Sequence, residues 1–329
     1  MSEELKPQAA APATPQAAPQ APAAAPKKPA APAAAAPAAP AENHCHVRTI
    51  ERAAFRKEME RLHKEEHMDF LECLTGIDRE DDGLAVIYHL ESTATGKRTC
   101  VQVVCEGRET PNVPTVSDLW DIANIYEREV YDFYGIIFTG HPDMRRIYMR
   151  EDWVGYPFRK DDETEKNNPL RMTNEPLADT TDTYILTPDG TLTKEQRNIF
   201  GEEDYVVNIG PQHPSTHGVL HFRVCLQGEV IKKIDPILGY IHRGVEKISE
   251  QMTYPQTLAL TDRLDYLGAM QNRHALCMCI EQAMGVEVSD RVQVIRTIMD
   301  ELQRIDSHIL FFSCLCQDLG ATTAFLYGF

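Results

Sequence analysis

Residues 1 to 41 are built almost wholly from Ala, Pro and Gln, in passages such as APAAAPKKPAAPAAAAPAAPAE. So few large apolar side chains cannot offset the entropy lost on ordering a backbone. The segment is therefore expected to be a disordered, polyproline-like tether, and any core must come from residue 42 onward. It does not read as a targeting sequence either. An export signal needs a bulky apolar stretch and a transit peptide needs arginines, yet Arg48 is the first arginine of the chain.

The remaining length is enough for about two domains. The nearest approach to a long uncharged apolar run is ILFFSCLC at 309 to 316, too short to span a bilayer. Any membrane association is therefore expected to come through a partner. A net charge of −17 and a pI near 5.1 argue against a nucleic-acid surface, which needs clustered Lys and Arg. The nine cysteines are scattered through apolar segments without a CxxC, and are read as buried free thiols of a reducing compartment rather than disulfides or cluster ligands.

The fold class is read as α+β. Phe55, Met59 and Leu62, spaced four and three apart, share one helical face. Two β-rich runs, LAVIYHL at 84 to 90 and RTCVQVVC at 98 to 105, are joined through Gly96-Lys97 as a hairpin. Ser117 is placed as the cap of a helix through YEREVYDFYG. These elements make a small domain at 42 to 160, and 161 to 203, rich in Asp, Asn, Thr and Pro, is taken as an extended connector. A second domain from 204 to 329 opens with YVVNI, continues through two strands around Gln227-Gly228, and then becomes helical. One helix is expected from about Thr261 to Met284, ending at Gly285, and another from a Ser289 cap to Gly320. The final LYGF is apolar and lacks a cap, and suggests a truncated domain.

GPQHPSTHGVL at 210 to 220 carries His213 and His217 four residues apart. On a helix, that spacing would bring two imidazoles to one face as zinc ligands. Pro214 stands where an HExxH motif has its glutamate, and Gly218 comes directly after His217, so zinc is disfavoured. A strand-to-strand loop offering imidazole to a cleft remains, beside ordinary turn histidines bonded to backbone. Tyr266, in TDRLDYLGA, reads from pattern alone as a packed aromatic with a bonded hydroxyl. Asp318 opposes the helix dipole near the end of an apolar helix, which an ion-pair or histidine partner would explain. The aromatic and charged stretch from Tyr126 to Asp161 contains no nucleophile with a base, and reads as an ordered charge network at an interface.

Those motifs also carry a resemblance. YEREVYDFYGIIFTGHPDMRRIYMREDWVGYPFRKD at 126 to 161 resembles the C subunit of respiratory complex I, the NADH:quinone oxidoreductase. GPQHPSTHGVLHFRV, GYIHRGVEK and TDRLDYLGA look like the start of its D subunit. Together the similarity covers roughly residues 50 to 329 and implies a fused C/D subunit with an incomplete D part. The D family is related to the large subunits of nickel–iron hydrogenases, which implies a β-rich entry followed by long core helices. Asp265 and Gly268 stand where a hydrogenase has its cysteine pair, and glycine offers no ligand, so hydrogen chemistry is not expected. A subunit of a ferredoxin-fed or hydrogenase-like membrane complex is the alternative, as is a purely structural assembly subunit.

The resemblance implies further roles. His217 corresponds to the histidine that meets the quinone, Tyr266 to the tyrosine facing it, and Asp318 to the aspartate that partners the histidine. His213 matches a histidine near the quinone. Arg243, in IHRG, corresponds to an arginine beside the terminal [4Fe-4S] cluster, whose ligands belong to a B-like subunit, so this chain is expected to bind no cofactor or metal through its own ligands. Quinone would be the substrate. Implied partners are B-, I- and G-like subunits of the peripheral arm and an H-like membrane subunit. The implied location is the cytoplasmic side of a bacterial inner membrane. The residue types suit the chemistry, since imidazole titrates near neutrality and a tyrosine hydroxyl donates well to a carbonyl.

Overall fold

The computed structural model describes residues 47–150, 152–163, 168, 179–187, 191–213 and 218–328. The predicted tether lies outside them, as does much of the predicted connector. The described residues belong to one compact unit.

Strand β1 (Val47–Ile50) and helix α1 (Arg52–Lys64) open the first region. Strands β2 (Phe70–Asp78), β3 (Leu84–Glu91) and β4 (Arg98–Val104) come next, and the sheet runs in the order β1-β4-β3-β2. Strands β2, β3 and β4 are antiparallel neighbours, and β1 joins β4 in parallel. The expected hairpin is β3–β4, with Gly96 at φ +67 in the turn, where a side chain would be strained. Alternation places Leu84, Val86, Tyr88 and Leu90 inward. Helix α1 sets the expected Phe55, Met59 and Leu62 into the same core, with Phe55 against the Tyr88 ring at 5.2 Å.

Helix α2 (Ala123–Tyr134) closes this core. It begins later than the expected Ser117 cap, because Ser117 sits in a turn where its own N–H donates to Thr115 Oγ1. Each residue of its last turn, YDFYG, has a separate use. Tyr131 packs on Tyr184 at 5.7 Å. The buried Asp132 carboxylate accepts the backbone N–H groups of Ile147, Tyr148 and Met149 at 3.1, 2.7 and 2.9 Å, and Arg146 donates to it at 2.8 Å. Phe133 stacks on Phe158 at 4.2 Å. Tyr134 lies so close over Gly76 that a Cβ there would fall 2.5 Å from the ring. Gly135, at φ +72, takes the left-handed position that ends the helix. The charge network expected at an interface is thus largely internal: it folds residues 140 to 162 back onto α2. A short parallel pair, β5 (Asn112–Pro114) with β6 (Ile137–Thr139), lies beside it.

The connector contains an element the sequence did not announce. Strands β7 (Thr180–Leu186) and β8 (Leu192–Asn198) form an antiparallel hairpin, and the Tyr184 N–H donates to Met144 O at 3.0 Å. Strands β9 (Tyr205–Ile209), β12 (His221–Gln227) and β13 (Val230–Ile237) then make a three-stranded sheet in the order β13-β12-β9. Helices α3 (Val245–Ser249), α4 (Tyr254–Thr261), α5 (Ala269–Met284), α6 (Asp290–Asp318) and α7 (Thr322–Tyr327) complete the chain. The protein is α+β. Helix α6 matches its expected limits, whereas the single helix expected over 261 to 284 is broken before Ala269. No helix among the described residues is long and apolar enough to cross a membrane.

Candidate functional site

Of the predicted site residues, His213, Arg243, Tyr266 and Asp318 are described, and they lie at separate places in the second region. His213 ends the two-residue strand β10 (Gln212–His213), which pairs antiparallel with β11 (Gly218–Val219), His213 opposite Gly218. Among the described residues, β9 is followed by the short β10–β11 pair and then by β12, and His213 is not on a helix. His217 lies outside the described residues. Gly210 makes this path possible. Its φ is +90, and a Cβ there would fall 1.8 Å from the Leu220 carbonyl oxygen on the returning strand.

Tyr266 begins a single 3-10 turn, Tyr266–Gly268, at the break between α4 and α5. Asp265 causes the break. Its backbone is extended and its carboxylate accepts the Leu267 N–H at 3.0 Å, which competes with continued helix. The Asn272 amide donates to Asp265 O at 3.1 Å, and Gln303 of α6 donates to Leu267 O at 3.1 Å. Gln271 donates to Asp300 O at 3.1 Å. Held on these sides, the turn presents Tyr266 with 73% of its surface exposed. Asp265 thus serves the local backbone.

Asp318 is the last residue of α6. Beyond it the Leu319, Gly320 and Ala321 N–H groups return to the carbonyls of Leu315, Gln317 and Cys316. The Tyr266 turn meets α6 at Gln303, so Asp318 lies roughly 22 Å further along the helix axis at 1.5 Å per residue. The structure does not bring Tyr266 and Asp318 together through that crossing. It does bring together a pair that sequence reasoning missed: His274 Nδ1 of α5 lies 2.6 Å from Asp300 Oδ2 of α6. No fixed motif marks that pair in sequence, since 26 residues separate its members.

Arg243 is exposed, and no hydrogen bond or ion pair to it occurs among the described residues. Its neighbours are firmly held. The Tyr240 hydroxyl and His221 Nδ1 share a hydrogen bond of 2.7 Å, and the His242 ring lies 5.0 Å from Phe133 and 4.7 Å from Tyr148. Lys247 of α3 donates to Phe158 O and Arg159 O at 3.2 and 3.0 Å.

A strongly perturbed carboxyl lies elsewhere, in the first region. Glu127 is fully buried on α2, accepting Thr115 Oγ1–H at 2.5 Å and the Val116 N–H at 2.7 Å. Burial pushes its pKa up to about 8 despite those two bonds. His141 stands 4.0 Å away, yet the contact is not an ion pair. Its Nε2 reaches Asn124 O and its Nδ1 accepts the Asp143 N–H, an arrangement of the neutral ring, and burial lowers its pKa. This cluster faces the core and no cleft. Among the described residues no group of three or more His, Cys, Asp or Glu could hold a metal ion. The eight described cysteines are free thiols. Only Cys100, Cys105 and Cys225 are buried, so the expectation of buried thiols holds for part of the set.

Residues 48–168 match the family described as "Respiratory-chain NADH dehydrogenase, 30 Kd subunit". The chain is 64% identical over 293 residues to the C/D subunit of NADH-quinone oxidoreductase from Bacteroides thetaiotaomicron, an alignment covering 86% of this chain and 55% of that one. The protein of the same name from Bacteroides fragilis is 63% identical with the same coverage. A more distant relative of that name, from Nitrosospira multiformis, is 36% identical over 260 residues, covering 78% of this chain and 42% of its own length. The chain spans about half the length of the curated relatives it matches.

Proposed function

The chain belongs to the family of fused C/D subunits of NADH-quinone oxidoreductase, and from that premise we propose that it supplies one wall of a quinone-reduction pocket in the peripheral arm of such a complex. The observation that carries this reading is the Tyr266 turn. Asp265 is spent on the backbone, Gly268 has no side chain, and the Tyr266 phenol projects, 73% exposed, from a well-braced turn.

Reducing a quinone to a quinol takes two electrons and two protons. The electrons would come from a [4Fe-4S] cluster held by a B-like subunit, which supplies them one at a time. Tyr266 would donate a hydrogen bond to one quinone carbonyl, so orienting the head group, and would pass its proton to that oxygen as the quinone is reduced. His217 would meet the other carbonyl and deliver the second proton, imidazole being the side chain that titrates near neutrality. Asp318, too far along α6 to share the contacts of Tyr266, would act through His217 by favouring and orienting its protonated form. His213, at the end of β10, would stand near the quinone. Arg243, exposed and without an ion pair among the described residues, suits a cation kept beside the cluster, where it would favour the reduced state. The first region would serve assembly, docking I- and G-like subunits. The whole would sit peripherally on the cytoplasmic side of a bacterial inner membrane, reached through an H-like subunit.

The test is made in the assembled complex. Tyr266→Phe and His217→Ala should each lower the quinone reductase rate by about 10²-fold, the scale of a lost general acid, with every other subunit still present in its normal amount. Unchanged rates in both variants would sink the assignment, and loss of assembly along with rate would favour a structural role.

A further inference from the structure

The Arg243 backbone is gripped from the first region. Its grip is one aromatic column centred on Phe133 at the end of α2. Phe158 stacks on one side of Phe133 at 4.2 Å and 10°, and Tyr148 packs against it at 5.4 Å and 5°. The His242 ring joins this group, 5.0 Å from Phe133 at 26° and 4.7 Å from Tyr148 at 30°. Both platform rings are themselves fixed: the Asp132 carboxylate holds the Tyr148 N–H at 2.7 Å, and the Phe158 N–H donates to Phe133 O at 3.1 Å.

His242 also acts on its own backbone. Its Nδ1 accepts the Gly244 N–H at 3.3 Å, closing a two-residue side-chain turn with Arg243 at its middle. Gly244 adopts φ +59 and sits over Phe158, where an added Cβ would already be in contact at 3.6 Å. On the near side of the loop Gly239, at φ +101, runs along the Tyr148 backbone, leaving 3.2 Å for a Cβ. On the far side Lys247 donates to the carbonyls of Phe158 and Arg159. The anchors lie on both sides of Arg243, while Arg243 itself is exposed.

We propose that His242 is a positioning residue, an aromatic plug through which the first region sets where the Arg243 guanidinium points. This rests on the reading of Arg243 as the cation beside the terminal cluster. The first region is then more than an assembly module, because the last turn of α2 aims a charge at the electron-transfer end of the second. The ring stack does most of the holding, since the Nδ1 bond is long for an N–H···N contact.

The experiment uses the assembled complex and two readouts, neither of them activity: hydrogen exchange of the backbone over 239 to 249, and the midpoint potential of the terminal cluster followed by electron paramagnetic resonance. Arg243→Ala should lower that potential without changing exchange. His242→Ala should raise exchange across 239 to 249 by about tenfold or more, the scale of one lost local contact of about 1.4 kcal/mol, and shift the potential in the same direction as Arg243→Ala but less. His242→Phe, which keeps the stack, should restore both readouts, and His242→Asn, which keeps only an acceptor, should restore neither fully.

A His242→Ala complex with unchanged exchange and potential, beside an Arg243→Ala complex whose potential falls, would overturn the positioning role and leave the reading of Arg243 standing. An unchanged potential in Arg243→Ala would overturn that reading and the positioning role with it. Should His242→Ala fail to assemble, His242→Phe decides: a native potential supports the plug, and one equal to that of Arg243→Ala overturns it.

Discussion

Leu84 and Ile298 are both aliphatic residues in regular elements, yet Leu84 is wholly buried and Ile298 is 52% exposed. The contrast extends to their surroundings. The main hydrophobic cluster draws its members from residues 50 to 186, where α1, α2 and the β1-β4-β3-β2 sheet cover one another. On α6 the only buried residue is Ser313, and Val294, Ile295, Ile298, Leu302, Ile305, Phe311 and Phe312 face outward. The first region completes its layers from its own sequence. Among the described residues, the helices of the second carry apolar faces that no second layer covers.

Charged groups divide the same way. Asp132 is buried and fully used, whereas Glu281 makes an ion pair with Arg296 on a partly exposed surface at 2.5 Å. Replacing Asp132 by Ala strands three amide N–H groups and the Arg146 guanidinium, and should cost about 3–5 kcal/mol. Glu281→Ala should cost about 1 kcal/mol or less. Urea unfolding followed by circular dichroism measures both, and the fluorescence of Trp120 and Trp153, both in the first region, isolates that region. Equal losses would break the distinction drawn between the two regions.

A pH-dependent effect sharpens it. The folded pKa of Glu127, about 8, lies above the ordinary glutamate value near 4.3. Below about pH 4.3 the carboxyl is protonated in both states and its burial carries no penalty. As pH rises toward 8 the folded protein holds a proton that the unfolded chain has released, so stability falls by up to about 1.4 kcal/mol per unit and then levels. Glu127→Gln should remove this slope from the fluorescence-detected transition. A slope that persists in the variant would place the titration elsewhere.

Much of the first region was legible because its signals are local. Phe55, Met59 and Leu62 declare a helix face by spacing, and the β3–β4 hairpin declares itself by alternation and Gly96. Helix α6 was legible from Ser289 and Gly320 at its ends. The break before Ala269 was not, because TDRLDYLGA carries good helix formers and the break comes from one carboxylate, Asp265, capturing a neighbouring N–H. Ser117 looked like a cap and proved to be a turn residue, since its N–H is taken by Thr115. The duties of Asp132, Glu127 and His242 were invisible for a different reason: each depends on partners brought near by folding, Asp132 on amides 15 to 17 residues away and His242 on rings from another region. Of the candidate site, Tyr266, Arg243 and Asp318 were named through resemblance, and the fold adds the local setting of each. His217 was named in the same way and lies outside the described residues.

Whether the Tyr266 turn faces the quinone is addressed directly by photolabelling. The assembled complex would be irradiated with a short-chain quinone carrying a photoreactive group, and the labelled peptides of this chain identified by mass spectrometry. A turn that faces the quinone should take label within residues 262 to 269, joined by label within 211 to 220, and both should be displaced by excess unlabelled quinone. Label confined to the first region, or label at the Tyr266 turn that excess quinone does not displace, would contradict that placement.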